Sequence, residues 1–204
     1  MKYLTEQEEK VLLRMIKTVA GSTELVSVGA KAQRDLMIVE LILGTGLRAA
    51  ELVGLNVGDV RNREKLFVRP EIAKRGKGRF VPICSDLQKR LKRFMAWKLT
   101  QKEKIRDEAP LFVSRTGDRL SKRSLQETIQ GWMVKAELTT SEGGRVVALY
   151  GVHSLRHTFA KRMQERGVNL TTIQKLLGHA SLSSTGIYTE AGWSELVDAV
   201  EVLG

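Results

Sequence analysis

The sequence has few of the residues that build disulfides, metal sites or membrane spans. Its 204 residues include one cysteine, three histidines and three prolines. The single cysteine, Cys84, excludes an internal disulfide and fits a reducing cytoplasm, and we expect it to be a small buried residue. No apolar run approaches the roughly 18 residues of a membrane-spanning helix. The longest, from Leu36 to Leu43, contains Glu40, so we expect no membrane partner.

Acidic residues are also scarce relative to basic ones. Asp and Glu number 23 against 34 Lys and Arg, which gives a formal net charge of +11. Such an excess is the electrostatic footprint of a protein that binds nucleic acid. The composition therefore predicts a cytoplasmic, nucleoid-associated protein with a nucleic-acid partner.

Apolar residues recur at helical spacing through most of the chain. Thr5 and Glu8 form a capping box at the first helix, and Ser121 is placed to cap a later one. Period two appears between Leu66 and Ile83, on both sides of KRGKG, which is typical of a β-hairpin, and Ala109–Val113 predicts another short strand. We expect one mainly α domain with a small antiparallel β-hairpin sheet. Its expected helices include residues 5–21, 31–43, 85–106 and 121–136, with a connector over 139–150.

All three histidines lie in the C-terminal third of the chain. His153 and Arg156 are three residues apart, so a helix would project both from one face. Gly178 is a predicted left-handed C-cap, which leaves His179 on a turn, and Tyr188 lies on the helix that follows. Two imidazoles, a guanidinium and a phenol on a cationic background indicate an anionic target.

The segment GTGLRAAEL allows two interpretations. Gly44, Gly46 and Ala49 match the G-x-G-x-x-A fingerprint of dinucleotide-binding folds, which would require a strand before them. Alternatively the glycines end a helix, and Arg48 opens a short helix shared with Glu51. In that case the pair is either an ordinary surface ion pair or an arginine held so that its fork faces a phosphate.

Two groups of basic and polar residues are candidates for contacts with nucleic acid. Lys74, Arg75, Lys77 and Arg79 cluster at the hairpin tip, as either a solvated charge run or a phosphate-contacting finger. The first turn of the helix capped by Ser121 presents Lys122, Arg123 and Gln126. Arginine and glutamine match guanine and adenine edges in the major groove, although an exposed helix start is often simply polar.

A zinc site is a further alternative for the histidines. His153 and His157 have the i,i+4 spacing of a zinc pair, and His179 would supply a third ligand. The general-base glutamate of the H-E-x-x-H motif is absent, because Ser154 stands in its place. We therefore expect no metal site, and we interpret His157 as a packing residue.

The order of these residues resembles the catalytic domain of the tyrosine recombinases, the phage integrase family. The resemblance rests on an arginine in TGLRAAEL, a lysine on a hairpin, then HSLR, LLGH and a tyrosine, and it covers nearly the whole chain. In that family the lysine precedes the returning V-P-[LI] strand by several residues. This favours Lys74 over Lys77, although hairpin tips vary in length.

The resemblance implies the DNA breaking-rejoining catalytic fold and a specific division of roles. It makes Tyr188 the nucleophile, Arg48 and Arg156 the phosphate clamp and Lys74 the general acid. It makes His153 and His179 proton-handling and positioning groups, with Glu51 in support. The product would be a 3′-phosphotyrosine, formed without a metal or nucleotide cofactor.

The resemblance also implies partners and alternatives. Duplex DNA is the expected partner, with four protomers acting on two sites and the C-terminal tail, residues 192–204, exchanged between neighbours. Residues 1–204 would form the catalytic domain without the N-terminal DNA-clamping (core-binding) domain of full-length members. A type IB topoisomerase that relaxes supercoils, and a DNA-binding module that has lost activity, remain alternatives.

Overall fold

The described residues form eight α-helices and four short β-strands. The computed structural model describes residues 2–21, 26–61, 64–178 and 190–204. The elements are α1 (Glu6–Ala20), α2 (Val26–Thr45), α3 (Ala49–Gly54), β1 (Lys65–Val68), β2 (Arg79–Pro82), α4 (Ser85–Thr100), α5 (Lys122–Lys135), β3 (Thr139–Glu142), β4 (Arg145–Ala148), α6 (Val152–Glu165), α7 (Leu170–Leu177) and α8 (Glu190–Glu201), with 3₁₀ turns at Val57–Asp59 and Lys74–Gly76.

Helix α2 packs against α1, α4 and α6. Apolar side chains are buried nearly all around its C-terminal half, as expected for a helix enclosed by others; they are Met37, Ile38, Val39, Leu41, Ile42 and Leu43. The predicted helix over 31–43 is therefore confirmed, with an earlier start and a slightly later end. The dinucleotide-binding alternative is wrong, because that fingerprint needs a strand where α2 is helical.

The predicted β-hairpin is confirmed. Strands β1 and β2 pair antiparallel, with Leu66 opposite Val81 and Val68 opposite Arg79. The expected connector over 139–150 is wrong in part, because Thr139–Ala148 forms a second hairpin, β3–β4. Gly143 and Gly144 make its turn, with φ of +57° and +77°, the left-handed values that a two-residue type I′ turn needs. The domain is thus mainly α with two small antiparallel hairpins.

The region after α4 departs from the predictions because of one buried lysine. The ammonium of Lys98 donates to the carboxylate of Glu103 and, at 2.9 Å, to the carbonyl of Leu111. These contacts draw the chain back onto α4, which ends at Thr100 rather than continuing to residue 106. Ala109–Val113 forms isolated bridges to residues 56 and 119 instead of the predicted strand.

The C-terminal helix α8 docks onto its own chain. Leu196, Ala199 and Val200 are buried, and α8 packs against α7 and β2. At its end the Glu201 carboxylate accepts from the backbone nitrogen of Ser85 at 2.9 Å and from its hydroxyl at 3.0 Å. Among the described residues, no helix combines the length and the apolarity that a membrane span requires.

Candidate active site

The site is built around the turn that joins α2 to α3. Gly46 follows α2 with a left-handed φ of +63°, and a side chain there would come within 2.5 Å of Phe159 and 2.7 Å of Leu177. Glycine therefore lets α6 and α7 approach this turn closely. Arg48 is the N-cap residue of α3. The prediction that glycines end one helix and Arg48 opens a short one is confirmed.

Arg156 brings a buried positive charge to this turn. One Nη of Arg156 donates to the carbonyl of Gly46, and the other donates to the carbonyl of Leu177 at 2.8 Å. Burial, followed by the charge of Arg48, lowers the pKa of Arg156 to about 10, against the opposing charge of Glu51. The group thus remains charged at neutral pH. Within the described ranges no carboxylate forms an ion pair with it. A buried charge without a counter-ion is costly, so such a site favours an anionic ligand.

Glu51 is the buried carboxylate at the centre of the site. Its Oε1 accepts from the Nη1 of Arg48 at 3.0 Å, and its Oε2 accepts from the backbone nitrogen of Arg48 at 2.9 Å. Arg79 donates to both oxygens, at 2.7 Å and 3.0 Å. Burial alone would raise the pKa of Glu51, but the hydrogen bonds and charges of Arg79 and then Arg48 outweigh it and lower that pKa. Glu51 is therefore ionised at neutral pH.

Arg79 is the residue that sequence reasoning missed. The sequence predicts it at the hairpin tip, in either a solvated charge run or a phosphate-contacting finger, whereas it lies in β2 with a side chain that is 9% exposed. The period-two pattern contained the signal, because Arg79 shares a strand face with Val81, which is buried. Arg48, Arg79 and Arg156 are called the arginine cluster below.

The arginine cluster converges on the C-terminal end of α7. Gly178 has the predicted left-handed conformation, with φ of +63°. Its carbonyl accepts from the Nη2 of Arg48 at 3.1 Å, and the adjacent Leu177 carbonyl accepts from Arg156. His179 follows directly in the sequence. His179 and Tyr188 lie outside the described residues, so their predicted roles remain predictions.

The hairpin that carries the predicted general acid extends from the site on β2. Lys74 opens the 3₁₀ turn between β1 and β2, and Lys77 follows it. Both residues are exposed. The side chain of Arg75 lies outside the described residues. The structure therefore places Lys74 on an exposed turn of the same hairpin whose strand β2 carries Arg79.

The two described histidines share the first turns of α6. His153 is exposed and His157 is half-buried, with their ring centroids 5.8 Å apart. Burial, followed by the charges of His153 and Arg156, lowers the pKa of His157. Within the described residues, no group of three or more His, Cys, Asp or Glu is placed to bind a metal. The zinc alternative also needs His179, which lies outside the described residues, so that alternative is not tested.

Helix α5 presents its N-terminal turn beside the start of α6. The Ser121 hydroxyl accepts from the backbone nitrogen of Ser124 at 3.0 Å, which confirms the predicted cap. Lys122, Arg123 and Gln126 are exposed, and Arg123 donates to Glu127 at 2.8 Å. The Gln126 amide lies against Gly151, where an added Cβ would be 2.9 Å from its nitrogen. The candidate base-reading turn is therefore adjacent to the helix that carries Arg156.

Comparison with known proteins assigns the chain to a family. The family model described as the phage integrase family matches residues 2–193. This match spans both hairpins, the arginine cluster and the start of α8. The chain belongs to the phage integrase family.

Relatives in the phage integrase family have similar sequences over most of this chain. Tyrosine recombinase XerC of Thermodesulfovibrio yellowstonii is 37% identical over 175 residues, 83% of this chain and 54% of the relative. Tyrosine recombinase XerA of Pyrococcus furiosus is 36% identical over 203 residues, 98% of this chain and 61% of the relative. The chain thus spans little more than half the length of these two relatives.

A solved structure supports the same fold assignment. The XerH site-specific recombinase bound to its difH substrate, in a pre-cleavage complex, aligns with a TM-score of 0.67 at 22% identity. The alignment covers 89% of this chain and 48% of that chain. At this identity the likeness establishes the phage integrase fold alone.

Proposed function

We propose that this chain is the catalytic domain of a site-specific DNA recombinase that cleaves and rejoins DNA through a covalent 3′-phosphotyrosine. The observation that carries the proposal is the arginine cluster, in which Arg48 and Arg79 bond to the Glu51 carboxylate and Arg156 bonds to backbone carbonyls at the same turn. The cluster therefore has an excess of two positive charges beneath the turn that leads into His179. A single backbone phosphate fits that excess.

The transition state supplies the reason for such a site. When an oxygen nucleophile attacks a phosphodiester, negative charge gathers on the nonbridging oxygens, and fixed cationic donors stabilise it without reorganising. Arg48 and Arg156 are already oriented by hydrogen bonds to backbone carbonyls. They would therefore bind the phosphate as a preorganised clamp, with Glu51 holding Arg48 in place.

Tyr188 is the proposed nucleophile. Of the other two tyrosines, Tyr3 is at the exposed N-terminal end. Tyr150 donates to the Glu8 carboxylate at 2.8 Å, and burial together with Glu8 raises its pKa to about 12. A phenol held in its neutral form in this way is a poor nucleophile. Tyr188 follows Gly178 by ten residues in the sequence, and the Gly178 carbonyl accepts from Arg48 in the arginine cluster.

The proposed reaction exchanges one phosphoester bond for another. The Tyr188 oxygen forms a bond to phosphorus, its proton passes to His153 or His179, and the bond from phosphorus to the 5′-oxygen breaks. Lys74 donates a proton to that departing 5′-oxygen. Attack by the 5′-hydroxyl of a partner strand reverses the same steps and rejoins the DNA. No bond energy is lost overall, because each step replaces one phosphodiester with another.

Duplex DNA is the proposed partner. The solved XerH neighbour is a site-specific recombinase bound to its difH substrate, and the net charge of +11 favours binding to phosphate backbones. Lys122, Arg123 and Gln126 would enter a major groove beside the scissile phosphate. Strand exchange between two sites would require four protomers, with the tail, residues 192–204, passed between neighbours.

Trapping the covalent intermediate tests the proposal. Duplexes selected from a random pool by the purified chain are nicked near the cleavage position, and protein–DNA adducts are separated on a denaturing gel. Wild type and Tyr150→Phe should form the adduct, and Tyr188→Phe should form none. DNA binding without an adduct would contradict the proposal in favour of an inactive binding module. Relaxation of supercoils irrespective of sequence would favour a type IB topoisomerase.

A further inference from the structure

Glu51 accepts hydrogen bonds from two arginines, and the two bond to it in different ways. Arg79 places both Nη atoms on the carboxylate, one on each oxygen, at 2.7 Å and 3.0 Å. Arg48 uses one Nη and its backbone nitrogen for the same carboxylate, and its other Nη reaches the Gly178 carbonyl. Arg79 therefore gives both sides of its guanidinium fork to Glu51, whereas Arg48 gives Glu51 only one side and the Gly178 carbonyl the other.

We propose that Arg79 is a positioning residue that neutralises Glu51, so that Glu51 orients Arg48 without cancelling the charge Arg48 offers to the phosphate. This inference rests on the proposed function. With Arg48 as its sole partner, a buried Glu51 would form a one-to-one ion pair, and the clamp would lose half of its excess charge. The second arginine restores that charge while the orienting hydrogen bonds remain.

The pairing of both Nη atoms of Arg79 with Glu51 argues for a role other than direct contact with the phosphate. Its guanidinium lies between Glu51 and the end of α7, where an added Cβ on Gly178 would be 2.8 Å from its Cζ. Its side chain is 9% exposed. Among the described residues, its buried Nε has no acceptor. Arg79 thus acts through the carboxylate that it covers.

The test compares Arg79→Gln with the double variant Glu51→Gln/Arg79→Gln. The measured quantity is the rate of covalent adduct formation at saturating DNA. Removing one partner of a buried charge pair should slow Arg79→Gln by about 30-fold or more, as an uncompensated Glu51 then competes for Arg48. The double variant restores the charge excess, so it should react faster than Arg79→Gln although it carries an additional substitution.

The pH profile gives a second readout that loss of packing alone would not produce. Without Arg79, the pKa of Glu51 should rise, because Arg79 makes the largest contribution that lowers it. Protonation of Glu51 then has the same effect as Glu51→Gln. The ratio of wild-type to Arg79→Gln rates should therefore shrink as the pH falls. The ratio of wild-type to double-variant rates should show no such trend.

Two further variants separate this role from folding. Arg69→Gln removes a comparable pair on the same hairpin, in which Arg69 donates to Asp59 at 3.0 Å and to the Gly54 carbonyl at 2.7 Å. It should lower the thermal unfolding temperature and leave the cleavage rate and its pH profile unchanged. Arg79→Lys retains the charge, so it should fold and show a smaller loss with a flat rate ratio.

Clear results would overturn the inference. A double variant slower than Arg79→Gln would mean that the two side chains act independently. A rate ratio for Arg79→Gln that is constant with pH would mean that Glu51 does not compete for Arg48. Failure of the proposed function would look different, because wild type itself would then give no adduct that depends on Tyr188.

Discussion

The guanidinium of Arg156 lies 2.8 Å from the carbonyl oxygen of Leu177, and this contact joins α6 to the last turn of α7. The other Nη of Arg156 reaches Gly46 at the end of α2. A single buried cation thus ties three helices together at one point. The group that would bind the phosphate also holds the walls of its own site in place.

Replacing Arg156 should separate catalysis from DNA binding. Arg156→Lys keeps the charge but loses the fork that spans two carbonyls, so the rate of adduct formation should fall by about 100-fold. Affinity for DNA, measured by fluorescence anisotropy, should change little because other basic residues supply most of it. Arg162→Lys is the matched control on the same helix, where Arg162 pairs with Glu9 at 2.8 Å. An equal loss in both variants would contradict a specific role for Arg156.

Two buried glutamates should respond to pH in opposite directions. Because the folded protein lowers the pKa of Glu51, its ionised form stabilises the fold above the ordinary value of 4.5, and this stability is lost as pH falls through the lower folded pKa. Glu51→Gln should therefore be less stable than wild type at neutral pH, by about 3 kcal/mol. The difference should narrow in acid, as measured by denaturant unfolding at several pH values.

Glu40 is the buried glutamate whose pKa is shifted in the opposite direction to that of Glu51. Burial raises the pKa of Glu40, although Arg90 and Lys17 oppose the shift. The stability contributed by its neutral form is complete below the ordinary value of 4.5 and is lost as pH rises through the raised folded pKa. Glu40→Gln, which cannot ionise, should therefore gain stability relative to wild type as pH rises. A parallel pH dependence of the two variants would contradict this assignment.

Two glycines should respond differently to alanine. Gly46 has a φ of +63° and lies against Phe159 and Leu177, so Gly46→Ala should destabilise the fold by about 2 kcal/mol or more and slow cleavage. Gly131 lies within α5 with open space around it. Gly131→Ala should stabilise the protein by about 0.5–1 kcal/mol through helix propensity. Thermal unfolding of the pair measures both effects, and a neutral Gly46→Ala would be the contradicting result.

The C-terminal tail offers a test of the proposed assembly. Deletion of residues 193–204 should abolish joining of two DNA sites while sparing cleavage at one site, since the site residues lie earlier in the chain. The deletion also removes buried Leu196 and Val200, so a loss of stability is expected in parallel. Glu201→Ala removes only the carboxylate that accepts hydrogen bonds from Ser85. It is the milder control for the loss of stability and should lower the free energy of unfolding by about 1 kcal/mol. Undisturbed joining by the truncated protein would contradict tail exchange.

Sequence reasoning was accurate where the signal is local. The capping box at Thr5, the cap at Ser121 and the left-handed Gly178 each depend on residues a few positions apart. The hairpin at Lys65–Pro82 follows from alternation along two short strands. Arg48 and Glu51 were paired correctly, because three residues separate them on one helical turn.

Errors arose where contacts between distant residues decide the outcome. The Lys98 ammonium draws residues 101–111 back onto α4, and no periodicity in that segment indicates the resulting bridges. The weak apolar alternation of Thr139–Ala148 predicts a connector rather than the hairpin that forms there. The segment after α4 takes its structure from packing rather than from its own propensities, whereas Gly143 and Gly144 are themselves a local signal for the second hairpin.

The sequence by itself determined which residues are candidates for phosphate chemistry and where most helices lie, because both are read from short-range order. The tertiary structure alone decided that Arg79 closes on Glu51 from 28 residues away. It also decided that Arg48 and Arg156 meet at the end of α7. The counter-ion of a charged residue cannot be identified from its neighbours in the sequence. A charge needs a counter-ion only once it is buried, and it is buried only when the fold brings distant segments together.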